Sequence, residues 1–439
     1  MRKEEEVKVN LDSLCIYKEI FKKGIGEKFT DLINSLYLEE SVDECITKYN
    51  EFTYELFSSY PNLSFKEYIV EQIIESVNPF NTYVERFGKV EDFILTGLNN
   101  ELHCLYNISQ VNSVYIKGIL ESRFGDNEIL QKRISDLLDW GVLKHKKNIA
   151  YEKNDFNELK MSFLSEDNWT NLIDKVVDYH NKNGTGKFAK YRAFVWETVE
   201  GKDGYLRGIS EPDPIRLSQL IGYESQKEEI IKNTEQFLNN LPANNLLLYG
   251  SRGTGKSSTV KAIVNEYYNE GLRLIEVDKD QLVDFTRIIR LLKDKKQKFI
   301  IFVDDLVFAE NEGSYSALKT IIEGRIEHRP SNILIYATTN RRHLVQENFS
   351  ERDDVHYKDT LEEKLSLADR FGITISFFTP DQKQFLTIVD GIVENRKIDV
   401  DKEYLHAEAL KWEKWHNGRS PRSATQFVDW LEGELKLRK

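Results

Sequence analysis

Cysteine is scarce: three occur in 439 residues, Cys15, Cys45 and Cys104. They are odd in number and far apart, with none of the close pairs that zinc or redox sites need, so they read as ordinary thiols. Also missing is an uninterrupted apolar run of about 18 residues, which argues against a membrane-spanning helix. The opening MRKEEEVKVNLDSL has no apolar stretch between a basic head and a small-residue cleavage site. No secretory signal is expected, and a cytoplasmic setting is. Positive charge is not in surplus either: 61 Lys and Arg face 73 Asp and Glu, a net charge of −12. A surface basic throughout, the main source of DNA affinity, is excluded, and any nucleic-acid contact has to be local.

What remains is a globular composition, 31% charged and 40% hydrophobic, on a chain long enough for two or three domains. The tetrapeptide GTGK occurs twice, and only one copy can hold a phosphate. A phosphate-binding loop needs a buried strand, a glycine-rich turn with inward N–H groups, a Lys for the phosphates and a Ser or Thr for a metal. Residues 183–186 follow WTNLIDKVVDYHNK, an amphipathic helix pattern, and Lys187 precedes Phe188 where a hydroxyl is required. Gly184 and Gly186 read as a helix stop and turn. The second copy follows the strand-like NNLLLYG (244–250). Gly250, Ser251, Arg252, Gly253, Thr254, Gly255, Lys256 and Ser257 fit G-x-x-x-x-G-K-[ST], and Ser258 continues into a helical pattern whose N-terminus would face the anion.

Four further apolar runs follow with helical stretches between them: LRLIEVD (272–278), KFIIFVDD (298–305), NILIYATTN (332–340) and GITISFF (372–378). This alternation predicts a parallel sheet with helices on both faces, a three-layer α/β domain. Asp304 and Asp305 stand where the strand leaves the sheet, the edge at which open α/β sheets bind ligands. Asp304 would hold Mg2+ through water together with Ser257, and Asp305 would orient or deprotonate an attacking water.

Taken together, the phosphate loop, the acidic pair, ATTN at 337–340, SLADRFG at 366–372 and GRSPRSATQF at 418–427 resemble the AAA+ ATPases. The nearest likeness is to a bacterial branch with an N-terminal extension, distantly related to replication initiators and helicase loaders. The resemblance runs from about Trp196 to the C-terminus. It implies that ATP and Mg2+ are bound and ATP hydrolysed. Ile221, Gly222 and Tyr223 would lie nearest the adenine. Asn340 resembles the first sensor, with Thr339 as the fallback. Arg370 resembles an arginine finger that completes a neighbour's site, which implies a homo-oligomer. Arg422 resembles the second sensor, with Arg419 as its competitor. A guanidinium suits these places because charge spreads over the departing phosphoryl oxygens, where it is worth about 10³ to 10⁵ in rate. Many AAA+ enzymes carry Glu as the second acid, whereas Asp305 is one methylene shorter; paired aspartates resemble the initiator-like members and suit the slow turnover of a switch.

The expected organisation is a mainly helical N-terminal domain at 1–160, a helical linker and joint at 161–210, the AAA+ core at 211–380 and a helical lid at 381–439. Trp412 and Trp415 in the lid are expected to pack in its core. Residues 111–153 resemble a winged helix, with Lys132 and Arg133 on its exposed helix and Lys144, Lys146 and Lys147 on its wing. The leading reading is an AAA+ ATPase that assembles or remodels a macromolecular partner, most simply a protein client. An ATP-gated DNA-binding protein is the alternative, and a scaffold with structural ATP a third. A P-loop kinase needs neither Asn340 nor Arg422 and is disfavoured.

Overall fold

The computed structural model describes the chain apart from residues 1, 61–63, 89, 126, 141–154, 200–202, 308–317, 319–329, 341–369, 417 and 438–439. The chain divides between Lys190 and Tyr191 into two compact units.

The first unit has helices and no strand among its described residues. Several helices start where sequence capping dictates: the side chains of Ser41, Ser64, Asn78 and Asn112 each accept a hydrogen bond from a backbone N–H of the first turn. Their apolar faces meet around Phe29, Phe52, Phe65 and Trp140. Phe52 lies edge-on to Phe65 and Trp140 at 5.3 and 4.9 Å, the geometry aromatic quadrupoles favour. The Glu101 carboxylate gathers the N–H groups of Cys15, Ile16 and Tyr17 at 2.8 to 3.0 Å, which satisfies a turn far away in sequence. Of the winged-helix-like portion, helices Ser113–Phe124 and Glu128–Ser135 are present. Lys132 and Arg133 are exposed, but Arg133 is paired with Asp43. The wing lysines Lys144, Lys146 and Lys147 lie outside the described residues.

His180 is fully buried in this unit, with Nδ1 3.0 Å from the Gly184 carbonyl, so Nδ1 carries the hydrogen and donates. Burial pushes its pKa down from 6.5 to about 4. The unfolded chain therefore binds a proton below pH 6.5 that the folded chain refuses until about pH 4. Stability is full above that window and falls through it by about 1.4 kcal/mol per pH unit, about 3 kcal/mol in all. Denaturant midpoints measured from pH 7.5 to 4.5 should show this slope, and His180→Leu should flatten it.

The second unit is a seven-stranded sheet followed by a helical lid. Its strands are β1 (Ala193–Glu197), β2 (Tyr205–Gly208), β3 (Leu246–Gly250), β4 (Leu272–Glu276), β5 (Lys298–Val303), β6 (Ile333–Thr339) and β7 (Ile373–Phe377). The spatial order is β2-β1-β4-β5-β6-β3-β7. Among the described residues only the β1–β2 pair is antiparallel. All five strands expected from the sequence are present. Two were not expected: β1 and β2 occupy part of 161–210, where a helical linker and joint were placed. The rest of that segment also differs, because Trp169, Leu172, Val176 and Tyr179 bury one helical face in the core of the first unit. A strand of four or five residues shows too little alternation to read against its polar surroundings.

Alternate residues of a central strand face opposite layers. Leu246 and Leu248 join Val260, Ile263 and Val264 of helix Lys256–Tyr267 in one core, while Leu247, equally buried, is covered on the other face. The lid comprises helices Gln382–Arg396, Lys402–Trp415 and Pro421–Leu437. They close on Phe385, Val389, Ala409, Phe427 and Val428. Trp412 packs against this core, but Trp415 is 83% exposed, contrary to expectation. It is the last residue of its helix, beyond the reach of its neighbours. No helix among the described residues is long and apolar enough to cross a membrane.

Candidate active site

Strands β5, β6 and β3 are adjacent and parallel, so Asp304, Asn340 and Gly250, each at or just past a strand end, reach one edge of the sheet together. The phosphate loop starts at Gly250 with φ 140°. A Cβ there would lie 2.0 Å from the Phe377 carbonyl oxygen, which itself accepts the Ser251 N–H at 3.1 Å. No side chain fits, and only glycine adopts that backbone cheaply. Thr254 closes the turn with a 2.8 Å hydrogen bond from its hydroxyl to Ser251 O.

Lys256 opens the helix behind the loop and is 6% exposed. Its Nζ donates to Gly250 O at 2.9 Å, Ser251 O at 2.8 Å and Asn340 Oδ1 at 3.1 Å. Burial holds its pKa below the usual lysine value; Asp304 and Asp305 oppose that shift, and Arg422 and Arg252 add to it. Asn340 also donates from Nδ2 to Asp305 Oδ1 at 2.6 Å, so one amide spans the loop lysine and the second aspartate. Ser257 donates from its hydroxyl to Asp304 Oδ1 at 2.6 Å. Thr338, not singled out from the sequence, donates to the same oxygen and accepts the Asp305 N–H at 3.0 Å.

The hydroxyl of Ser257 and the carboxylate of Asp304 are hard oxygen donors in direct contact. Among the described residues no three His, Cys, Asp or Glu gather elsewhere as a metal cage. Two protein ligands suit Mg2+, which keeps several waters and takes others from substrate phosphates.

From this edge an open cleft of about 1060 Å³ runs under the lid. Segment 213–223 forms one wall and is pinned at several points. Asn265, on the loop helix, donates to Asp213 O at 2.7 Å and Ile215 O at 2.9 Å. Asn395, on the lid, donates to Ser218 O at 3.2 Å, and Lys227 Nζ to Leu220 O at 2.6 Å. Ile221 packs against Gly391 of the lid so closely that a Cβ on that glycine would lie 2.8 Å away. The Tyr223 ring lies 5.1 Å from Phe377. Ile221, Gly222 and Tyr223 line the same cleft. From the lid, Arg422 N–H donates to Gly253 O at 3.1 Å, and Arg422 lines the cleft.

The cleft thus gathers Arg252, Lys256, Ser257, Ser258, Asp304, Asp305, Asn340 and Arg422 with Ile221, Gly222 and Tyr223. It does not include three of the arginine and sensor candidates. Thr339 is fully buried, because alternation along β6 turns it away from Thr338 and Asn340. Arg419 is held by Glu413 at 2.7 Å. Arg370 lies before the first residue of β7, whereas the loop meets the strand's other end. Asn265, Asn395 and Lys227 were not singled out from the sequence. Their one signal was a polar residue on an otherwise buried helix face, visible for Asn265 in VKAIVNEY.

A family model described as Protein of unknown function (DUF815) matches residues 189–435, more than half of the chain and all seven strands. The chain belongs to the DUF815 family. Its second unit is a mostly parallel sheet with a phosphate loop and a helical lid. Among curated proteins, this DUF815 chain is similar to the Replication factor C large subunit of Pyrococcus horikoshii, 27% identical over 179 residues, 38% of this chain and 37% of that protein. The Replication factor C large subunit of Nanoarchaeum equitans is 26% identical over 205 residues, 45% of this chain and 42% of that protein. The chain therefore spans about two fifths of these relatives. A solved structure titled Thermotoga maritima RuvB Holliday junction branch migration motor is 16% identical, covers 51% of this chain and 66% of that one, and has a TM-score of 0.37.

Proposed function

We propose that the protein binds and hydrolyses ATP with Mg2+ and uses the cycle to assemble or remodel a macromolecular partner. The observation that carries this reading is the continuous set Lys256–Asn340–Asp305 beside Ser257–Asp304, assembled at the mouth of a complete phosphate loop. The loop N–H groups and the start of helix Lys256–Tyr267 cradle the phosphates. Lys256 exchanges its bonds to Gly250 O and Ser251 O for phosphate oxygens. Bound at Ser257 and Asp304, Mg2+ supplies charge neutralisation at the phosphates. Asn340 positions the attacking water, and Asp305 orients it and accepts its proton. Arg422 meets the charge that develops on the transferred phosphoryl oxygens from the lid side. The names of the similar Replication factor C subunits, themselves parts of an assembly, support a macromolecular partner.

Arg370 lies at the end of the sheet away from its own loop, which suits a finger offered to an adjacent copy. Arg370→Ala and Asp305→Asn proteins should each lose at least about a hundredfold in turnover. Mixed one to one, they should regain up to about a quarter of wild-type phosphate release, because random assembly joins an intact Arg370 to an intact Asp305 at one interface in four. No recovery after subunit exchange would contradict sites shared between copies.

A further inference from the structure

Thr338 is buried in the sheet at 2% exposure, yet its hydroxyl is fully engaged. It donates to Asp304 Oδ1 and accepts the Asp305 N–H at 3.0 Å. Its carbonyl accepts the Leu306 N–H at 2.7 Å, and its backbone is in register with Leu248 of β3. One residue of a central strand thus grips three consecutive residues of the turn that carries both acids. We propose that Thr338 is the positioning residue of this site, which sets Asp304 and Asp305 in register with the phosphate loop. The inference rests on the ATPase reading above.

Two features give that grip a purpose. Asp305 has φ 50°, in the left-handed region, which is unfavourable for a residue with a side chain and persists where the surroundings over-determine it. The Thr338 hydroxyl supplies the acceptor that this turned N–H needs. In addition, Asp304 Oδ1 takes bonds from Ser257 Oγ at 2.6 Å, Asp305 N at 3.2 Å and Thr338 Oγ1. The orientation of the Ser257 hydroxyl therefore depends on an oxygen that Thr338 fixes. A β-branched side chain with a stiff χ1 makes the clamp rigid. Strand alternation puts Thr338 on the face of Asn340, so the water-holding amide and the clamp project from β6 together, and the 2.6 Å contact of Asn340 with Asp305 is kept.

The test compares wild type, Thr338→Val and Thr338→Ser by steady-state ATP hydrolysis, by binding of a fluorescent ATP analogue and by thermal midpoint. Val preserves shape and removes the hydroxyl; Ser restores it. Thr338→Val should lower kcat about ten- to a hundredfold, as expected for misplacement of order 1 Å. KM and analogue affinity should stay within about threefold, because Lys256 and the backbone N–H groups of the loop do not touch Thr338, and Ser should recover kcat to within about threefold. Wild-type kcat in Thr338→Val would overturn the proposal. So would a Ser variant as slow as Val, or a Val loss lying in KM rather than kcat. If Val does not fold, Thr338→Cys, a weak donor of similar size, takes its place with the same expectations. If wild type binds ATP and does not hydrolyse it, the ATPase reading fails separately. The clamp is then judged from the crystal structure of Thr338→Val: Asp305 leaving the left-handed region supports it, and an unchanged turn overturns it.

Discussion

Lys256→Ala protein loses ATP affinity by about 10² to 10⁴-fold in isothermal titration. Hydrogen bonds to charged groups are worth about 1.5 to 3 kcal/mol each, and two to phosphate oxygens amount to about 3 to 6 kcal/mol. Each 1.4 kcal/mol is a factor of about ten. The loss does not arise from unfolding: the ammonium serves two loop carbonyls and Asn340, all beside the open cleft, where water can replace it. The same lysine gives the affinity a pH dependence of determined sign. Burial lowers its pKa in the free protein, and an arriving triphosphate, being negative, raises it again. Binding therefore takes up a proton as pH rises through the free-state value, and affinity falls there, at a lower pH than an ordinary lysine would allow. Titrations of wild type from neutral pH upward should show this decline, accompanied by a buffer-dependent enthalpy. Lys256→Ala should show neither.

Asp305→Asn protein binds ATP with affinity within a few-fold of wild type and hydrolyses it about 10² to 10⁴ times more slowly, the usual worth of a general base. The substitution isolates that role for a structural reason. Asp305 has φ 50°, and asparagine tolerates the left-handed region as well as aspartate does. The amide oxygen can still accept from Asn340 Nδ2, and the Asp305 N–H keeps its Thr338 acceptor. Basicity is removed while the turn survives. Single-turnover quench experiments with pre-bound ATP check this directly, since they separate the chemical step from binding and release. Unchanged turnover would remove Asp305 from the chemistry.

The parts of the site legible in the sequence were those whose chemistry imposes fixed spacing. Gly250, Gly255, Lys256 and Ser257 are set by the loop's own geometry, and Asp304 and Asp305 by a strand that ends where the apolar run ends. The strands themselves were legible because buried parallel strands are continuous apolar runs, as in NLLLY and KFIIFV. Strands β1 and β2 were not, since AFVWE and YLRG are short, and YLRG buries a single residue, Leu206. Thr338 was passed over for Thr339 because sequence alone does not say which of two adjacent threonines faces the acids. That depends on the register of β6 against β3, a tertiary fact. The pinning of segment 213–223 by Asn265 and Asn395 was hidden for the same reason: each amide meets its carbonyl partners only after the chain has folded back across more than 45 residues. Lys144, Lys146 and Lys147, expected on a wing, lie outside the described residues, and Arg133 of helix Glu128–Ser135 is paired with Asp43.

The central claim is that a triphosphate sits on Lys256 facing the two aspartates. A crystal structure with Mg2+ and a non-hydrolysable ATP analogue tests it most directly. The account predicts the β- and γ-phosphates within hydrogen-bonding distance of Lys256 Nζ, which then no longer bonds Gly250 O and Ser251 O, with Mg2+ between Ser257 and Asp304 and the base beside Ile221 and Tyr223. An analogue bound elsewhere, or a loop with Lys256 still folded onto its own carbonyls at saturating analogue, would contradict it.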